Sequence, residues 1–123
     1  MDRKKILLVD DSSTTLLLEQ MVLDHSGYEL HTAKDGDSGI AAALSIRPDL
    51  VLLDIVMPKV DGFEVCRRLR CEDATRDVPI ILVTTRSEEA NLEKGFEVGC
   101  NDYVLKPINA AELLTKVKNL LGE

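Results

Sequence analysis

The chain has no tryptophan and, in 123 residues, only two phenylalanines and two tyrosines. Its core must therefore be built from aliphatic side chains. Positive charge is scarce as well: 15 Lys and Arg stand against 22 Asp and Glu, a formal net charge of −7. Such a surface disfavours direct contact with nucleic acid or an anionic membrane, and the densest basic run, Arg67-Arg68 with Arg70, is short. No stretch approaches the roughly 20 apolar residues of a membrane helix. The start, Arg3-Lys4-Lys5 followed by Ile6-Leu7-Leu8-Val9, has the basic-then-apolar order of a signal peptide, but its apolar run is too short and ends on two aspartates. The three cysteines, Cys66, Cys71 and Cys100, are odd in number and lack metal-ligand spacing. Reduced thiols and a cytoplasmic location are the expectation, and His25 and His31 read as ordinary surface or packing residues. There is no glycine-rich phosphate loop, so no nucleotide signature is present. The length suits one domain, and residues 1–123 are expected to form it without an output domain in the chain.

What the chain does have is a set of apolar runs that each stop on a polar residue. Ile6–Val9 stops on Asp10-Asp11, Leu50–Leu53 on Asp54, Tyr103–Leu105 on Lys106, and Ile80–Val83 on the hydroxyls Thr84 and Thr85. Short runs of branched apolar residues bounded by turn signals read as strands buried on both faces of a parallel sheet. A weaker alternating run, Glu29–Ala33, suits a sheet edge.

Helical patterns separate these strands. Ser13–His25 carries Leu16, Leu17, Met21 and Leu23 behind a Ser/Thr-rich start and breaks at Ser26-Gly27. Asp37–Ile46 is alanine-rich and closed by Pro48, Gly62–Leu69 follows an Asp61 cap, and Ser87–Val98 ends before Gly99. Ala110–Leu121 places Leu113, Leu114, Val117, Leu120 and Leu121 three and four apart, an amphipathic stripe. Five alternations of strand and helix imply right-handed crossovers and a parallel α/β sheet with helices on both faces.

Open parallel sheets bind ligands beyond the carboxyl ends of their strands. In this chain that edge gathers Asp10, Asp11, Asp54, Thr84, Thr85 and Lys106. Two unit charges about 4 Å apart repel by roughly 4 kcal/mol at an effective dielectric near 20, so three carboxylates need a cation or must partly protonate. An all-oxygen donor set favours a hard divalent ion, and Mg²⁺ suits a site with few carboxylates and room for phosphate oxygens. A metal, a lysine, a hydroxyl and a carboxylate able to act as nucleophile are the parts for phosphoryl transfer. Taken singly, each aspartate reads as a helix cap or turn residue; four complementary strand ends together do not.

The ordered set Asp10-Asp11, Asp54, Met57-Pro58, Asp61-Gly62, Thr84, Gly99, Asp102-Tyr103 and Lys106-Pro107 resembles the receiver domains of two-component response regulators, of the CheY kind, across essentially the whole chain. The resemblance implies a flavodoxin-like (βα)5 three-layer sandwich with a five-stranded parallel sheet in order 2-1-3-4-5. It implies that Asp54 is the phosphoacceptor, taking a phosphoryl group from a histidine kinase or phosphotransfer protein. Asp10, Asp11, Asp54 and the backbone carbonyl of Val56 would hold Mg²⁺. Lys106 would bind a phosphoryl oxygen, while Thr84 and the aromatic Tyr103 would move together as the switch. The Lys106-Pro107 bond would be cis. The responding surface would be the face of the fourth helix, fifth strand and fifth helix, read by a downstream effector protein or a fused output domain. The chain would be a switch that catalyses its own phosphorylation and slow dephosphorylation rather than an enzyme.

Two departures from the family pattern bear on timing. Thr85 stands where the family usually has Ala or Gly, and Val56 and Arg86 occupy the positions that tune dephosphorylation. Val56 and Thr85 are expected to exclude attacking water and prolong the phosphate. The competing readings are a metal-dependent phosphatase with an aspartyl intermediate and a scaffold that works without phosphorylation. The first wants Asp-x-Asp on one strand, whereas Asp10 and Asp11 are adjacent and Asp54 stands alone; the second is weakened because no acidic residue, Thr84 or Lys106 is missing.

Overall fold

A computed structural model describes residues 3–85 and 92–123. The elements run β1 (Lys5–Val9), α1 (Ser13–Asp24), β2 (Glu29–Ala33), α2 (Gly36–Ile46), β3 (Leu50–Asp54), α3 (Gly62–Cys71), β4 (Ile80–Thr84), α4 (Leu92–Glu97), β5 (Asp102–Leu105) and α5 (Ala110–Leu121). The strands form one parallel sheet in the order β2-β1-β3-β4-β5. This is the flavodoxin-like architecture anticipated above. Arg86 and the first part of the helix expected from Ser87 lie outside the described residues. No helix among the described residues is long and apolar enough to cross a membrane.

Of the three central strands, β3 and β4 are buried from end to end and β1 in all but Lys5, because helices cover both sheet faces. Strand alternation divides the core in two. Leu7, Val9, Val51, Leu53, Ile80 and Leu82 face one way and pack with Ala43 of α2, Val65, Cys66 and Leu69 of α3, and Leu92 of α4. Ile6, Leu8, Leu50, Leu52, Ile81, Val83 and Val104 face the other way and pack with Leu16 and Leu23 of α1 and Leu113 and Val117 of α5. Fully burying one such aliphatic side chain contributes about 1.5–3 kcal/mol, so aliphatic residues carry most of this core, with Phe63 buried in the first cluster and Tyr28 in the second.

Helix starts are set by side-chain caps: Ser12, Asp35, Asp61 and Asn109 each accept a hydrogen bond from the backbone N–H three residues on. The Asp35 cap begins α2 one residue before the expected Asp37 start region, at Gly36, and α3 runs on to Cys71 rather than ending at Leu69. The buried face of α1 is Leu16, Glu19 and Leu23. Leu17 and Met21, expected on its apolar side, are 57% and 59% exposed. At the amino-terminal edge of the sheet, the Arg70 guanidinium donates to the carbonyls of Gly99, Thr75 and Arg76 and to Asn101 Oδ1. Asn101 Oδ1 also accepts from the N–H of Ile80. These bonds tie the end of α3 to the turn between α4 and β5.

Candidate functional site

Because β1, β3, β4 and β5 run parallel, their carboxyl ends meet at one edge, and each carries its polar residue there. Asp10 follows β1, Asp54 ends β3, Thr84 ends β4 and Lys106 follows β5. The Lys106 backbone N–H donates to the Thr84 carbonyl at 2.6 Å, which fixes the last two strand ends against each other. The Lys106-Pro107 peptide is cis, as expected.

Carboxylate oxygens of Asp10, Asp11 and Asp54 lie within 4.8 Å of one another, the one such acidic cluster among the described residues. Asp10 is 1% and Asp54 5% exposed, while Asp11 faces solvent. Asp10 Oδ1 accepts from the Ser12 N–H at 2.8 Å, which orients its carboxylate. Lys106 Nζ stands 3.3 Å from Asp10 Oδ2 and 3.4 Å from Asp54 Oδ1. It pairs electrostatically with Asp10 Oδ2 but is not angled to donate to it, so that buried oxygen has no hydrogen-bond partner. One ammonium cannot balance three carboxylates, and an orphaned oxygen in an all-oxygen set fits a small divalent cation.

The protonation equilibria record this crowding. Burial, reinforced by the charge of Asp10, pushes the Asp54 carboxyl up to about 6. Burial alone would push the Lys106 ammonium down, but the carboxylates of Asp54 and Asp10 outweigh it and the net shift is upward. Thr84 is buried, and its hydroxyl donates to the Thr85 carbonyl at 3.2 Å. Val56, two residues beyond Asp54, is 57% exposed, and Thr85 is also exposed. Tyr103 is half-buried on β5, against the same cluster as Leu82 and Leu92. The structure thus gathers Asp10, Asp11, Asp54, Thr84 and Lys106 at one edge, with Val56 and Thr85 beside them; Arg86 lies outside the described residues.

Two residues that support this edge were not among the candidate site residues. Gly62 starts α3 directly behind β3: a Cβ there would collide with the Asp54 carbonyl and stand 2.8 Å from Ile55 Cα. The Gly62 N–H donates to the Ile55 carbonyl at 2.8 Å, so any larger residue would force apart the backbone that presents Asp54. Glu19 on α1 is 1% exposed, and its Oε1 has no hydrogen-bond partner. Burial, with the charge of Asp10 second, raises its carboxyl to about 8, so at neutral pH it is largely a neutral acid. Its three- and four-residue spacing to Leu16 and Leu23 was the available signal.

Comparison with known proteins agrees with this geometry. The family model described as "Response regulator receiver domain" matches residues 6–118. The transcriptional regulatory protein ResD of Bacillus subtilis is 45% identical over 117 residues, covering 95% of this chain and 48% of ResD. The alkaline phosphatase synthesis regulator PhoP of the same organism is 41% identical over 118 residues, covering 96% of this chain and 48% of PhoP. The chain thus spans about half the length of these curated relatives. Among solved structures, the chemotaxis protein CheY4 of Vibrio cholerae superposes with a TM-score of 0.91 at 31% identity, covering 97% of this chain and 99% of that one. The receiver domain of a sensor histidine kinase from Pseudomonas aeruginosa PAO1, determined with a magnesium ion in its active-site cleft, gives 0.90 at 30% identity and covers 99% and 100%.

Proposed function

The chain belongs to the response regulator receiver family, and on that premise we propose that Asp54 is its phosphoacceptor and that residues 1–123 act as a single receiver domain. Receivers of this family are signalling switches that accept a phosphoryl group and work with histidine kinases and effectors. In this chain the observation that carries the assignment is Asp54 itself: a buried carboxylate at a strand end, 3.4 Å from Lys106 Nζ and beside two further aspartates.

A carboxylate oxygen of Asp54 attacks the phosphorus of a phosphohistidine on the partner kinase or phosphotransfer protein. A P–O bond forms, the P–N bond breaks, and the electron pair leaves with the imidazole, which takes up a proton. Lys106 holds a phosphoryl oxygen, and Asp10 and Asp11 keep their charge oriented toward the same point. Asp10, Asp11, Asp54 and the Val56 carbonyl would hold Mg²⁺, which would neutralise the carboxylates and draw phosphoryl oxygens into the cluster. The three carboxylates and the orphaned Asp10 oxygen support that fit.

The product carries about 1.5–2 negative charges and three acceptor oxygens. The Thr84 hydroxyl turns from the Thr85 carbonyl toward them, and Tyr103 follows inward. The surface of α4, β5 and α5 is then the face read by an effector protein or a fused output domain, in the cytoplasm and without direct contact between this domain and nucleic acid. Water attack on the acyl phosphate returns the switch to rest.

Asp54→Asn keeps the side-chain shape and removes the nucleophile. With acetyl phosphate and Mg²⁺, the parent chain should take up one label per molecule and the variant none, read by intact mass. Full labelling of a folded Asp54→Asn variant would overturn the assignment.

A further inference from the structure

Lys116 lies on α5 between Leu113 and Val117, which are buried against the α1 side of the sheet. Its ammonium nevertheless reaches around the outer strand β5. Nζ donates to the Tyr103 carbonyl at 2.5 Å and pairs with Asp102 Oδ1 at 3.3 Å and Glu112 Oε1 at 3.5 Å. It also sits 4.8 Å from the centroid of the Tyr103 ring. That ring lies against the opposite core cluster, so one side chain clasps both faces of the strand edge.

Covering the carbonyl of an edge strand is a sufficient structural task for a lysine, but it does not require the ring. The contacts with Asp102, Glu112 and the Tyr103 carbonyl hold the ammonium in place, so movement of the ring away from its present position would lose the cation–π contact. That contact therefore favours one ring orientation only. Tyr103 is also mechanically close to the phosphoryl site: three residues on, Lys106 bonds the Thr84 carbonyl through its N–H and pairs with Asp54 through its ammonium.

Resting on the reading of Tyr103 as the switch aromatic, we infer that Lys116 is a positioning residue that latches the Tyr103 ring in its resting orientation and so opposes the phosphorylated state. By linkage, a substitution that weakens the resting orientation tightens the binding of any group that stabilises the other state by the same factor.

The chain's two tyrosines make the test direct. Uniform fluorotyrosine labelling gives two ¹⁹F resonances, Tyr28 serving as an internal control. The 123-residue chain is titrated with beryllofluoride, an acyl-phosphate analogue, in the presence of Mg²⁺. Lys116→Met keeps most of the stem and removes the charge. It should bind beryllofluoride about two- to fivefold more tightly, the range of an exposed cation–π contact, and its free Tyr103 resonance should move part-way toward the bound position. Lys116→Arg should stay near the parent, as should Lys118→Met on the exposed side of the same helix. If the parent Tyr103 resonance responds but Lys116→Met matches the parent in affinity and free shift, the latch is wrong and the switch reading stands. A drop in melting temperature with unchanged affinity, the signature of edge covering alone, also overturns it. If beryllofluoride binds the parent without moving Tyr103, the switch reading fails and the latch falls with it.

Discussion

Val56 and Thr85 carry the most individual chemistry of the site. Val56 is an exposed apolar side chain two residues beyond Asp54, and Thr85 adds bulk beside the Thr84 hydroxyl. Val56 presents no polar group to orient a water for in-line attack, and the bulk of Thr85 narrows its approach, so the acyl phosphate should be long-lived. Val56→Asn supplies a water-orienting amide and Thr85→Ala opens the approach. Each should speed phosphate decay, by up to about tenfold, equal to about 1.4 kcal/mol of barrier. Loss of label after removal of the phosphodonor measures it, and unchanged decay in both variants would sink the idea. Asp10, Asp54, Thr84 and Lys106 were legible in sequence because each ends or follows an unbroken apolar strand. Glu19 and Lys116 were not. They come from the bodies of helices, where a charged residue reads as a solvent face unless its register with Leu16 and Leu23, or its reach around a strand edge, is known.

At the scale of elements, the strands were plain in the sequence because a strand covered on both faces tolerates no polar interruption. Helix ends followed side-chain caps, which moved the start of α2 to Gly36, behind the Asp35 cap. The facing of α1 was obscured because Leu16, Leu17, Leu18, Met21, Val22 and Leu23 surround most of the helix, so periodicity alone could not choose its buried side. The junction of β3 with α3 is the element contact on which the site most depends. Gly62→Ala would push a methyl into the Asp54 carbonyl and Ile55 Cα. It should destabilise the domain by roughly 1–3 kcal/mol, the usual cost of overpacking. Labelling at Asp54 should slow even where the fold persists. Denaturant unfolding and acetyl-phosphate labelling would check this, and parent values in both would show that the helix start has slack.

For the whole molecule, the unneutralised site opposes folding. Glu19 titrates near 8 in the fold against an ordinary 4.5, and Asp54 near 6 against 3.8. Between about pH 4 and pH 8 the folded chain therefore holds more protons than the unfolded chain, so stability falls as pH rises through that window. Glu64 is held down to about 2 by Arg67 and Arg68 and titrates below the window, with the opposite sign. In chelator, the melting temperature should decline from pH 5 to pH 8, and Glu19→Leu should flatten the upper part of the decline. Saturating Mg²⁺ at neutral pH should restore stability, by about 2.7 kcal/mol at one hundred times its dissociation constant. A flat profile that neither substitution nor Mg²⁺ alters would contradict this balance.

The Arg70 clamp sets the direction in which such a molecule can give. By binding carbonyls on both sides of β4 and the Asn101 side chain at once, it removes the slack from the sheet edge remote from Asp54. The displacement of β5 proposed for the switch would then act as a lever with its fulcrum at the Gly99 turn. Its free end carries Tyr103 and Lys106, so a small push at the proposed phosphoryl site would rotate the outer strand rather than loosen the whole sheet.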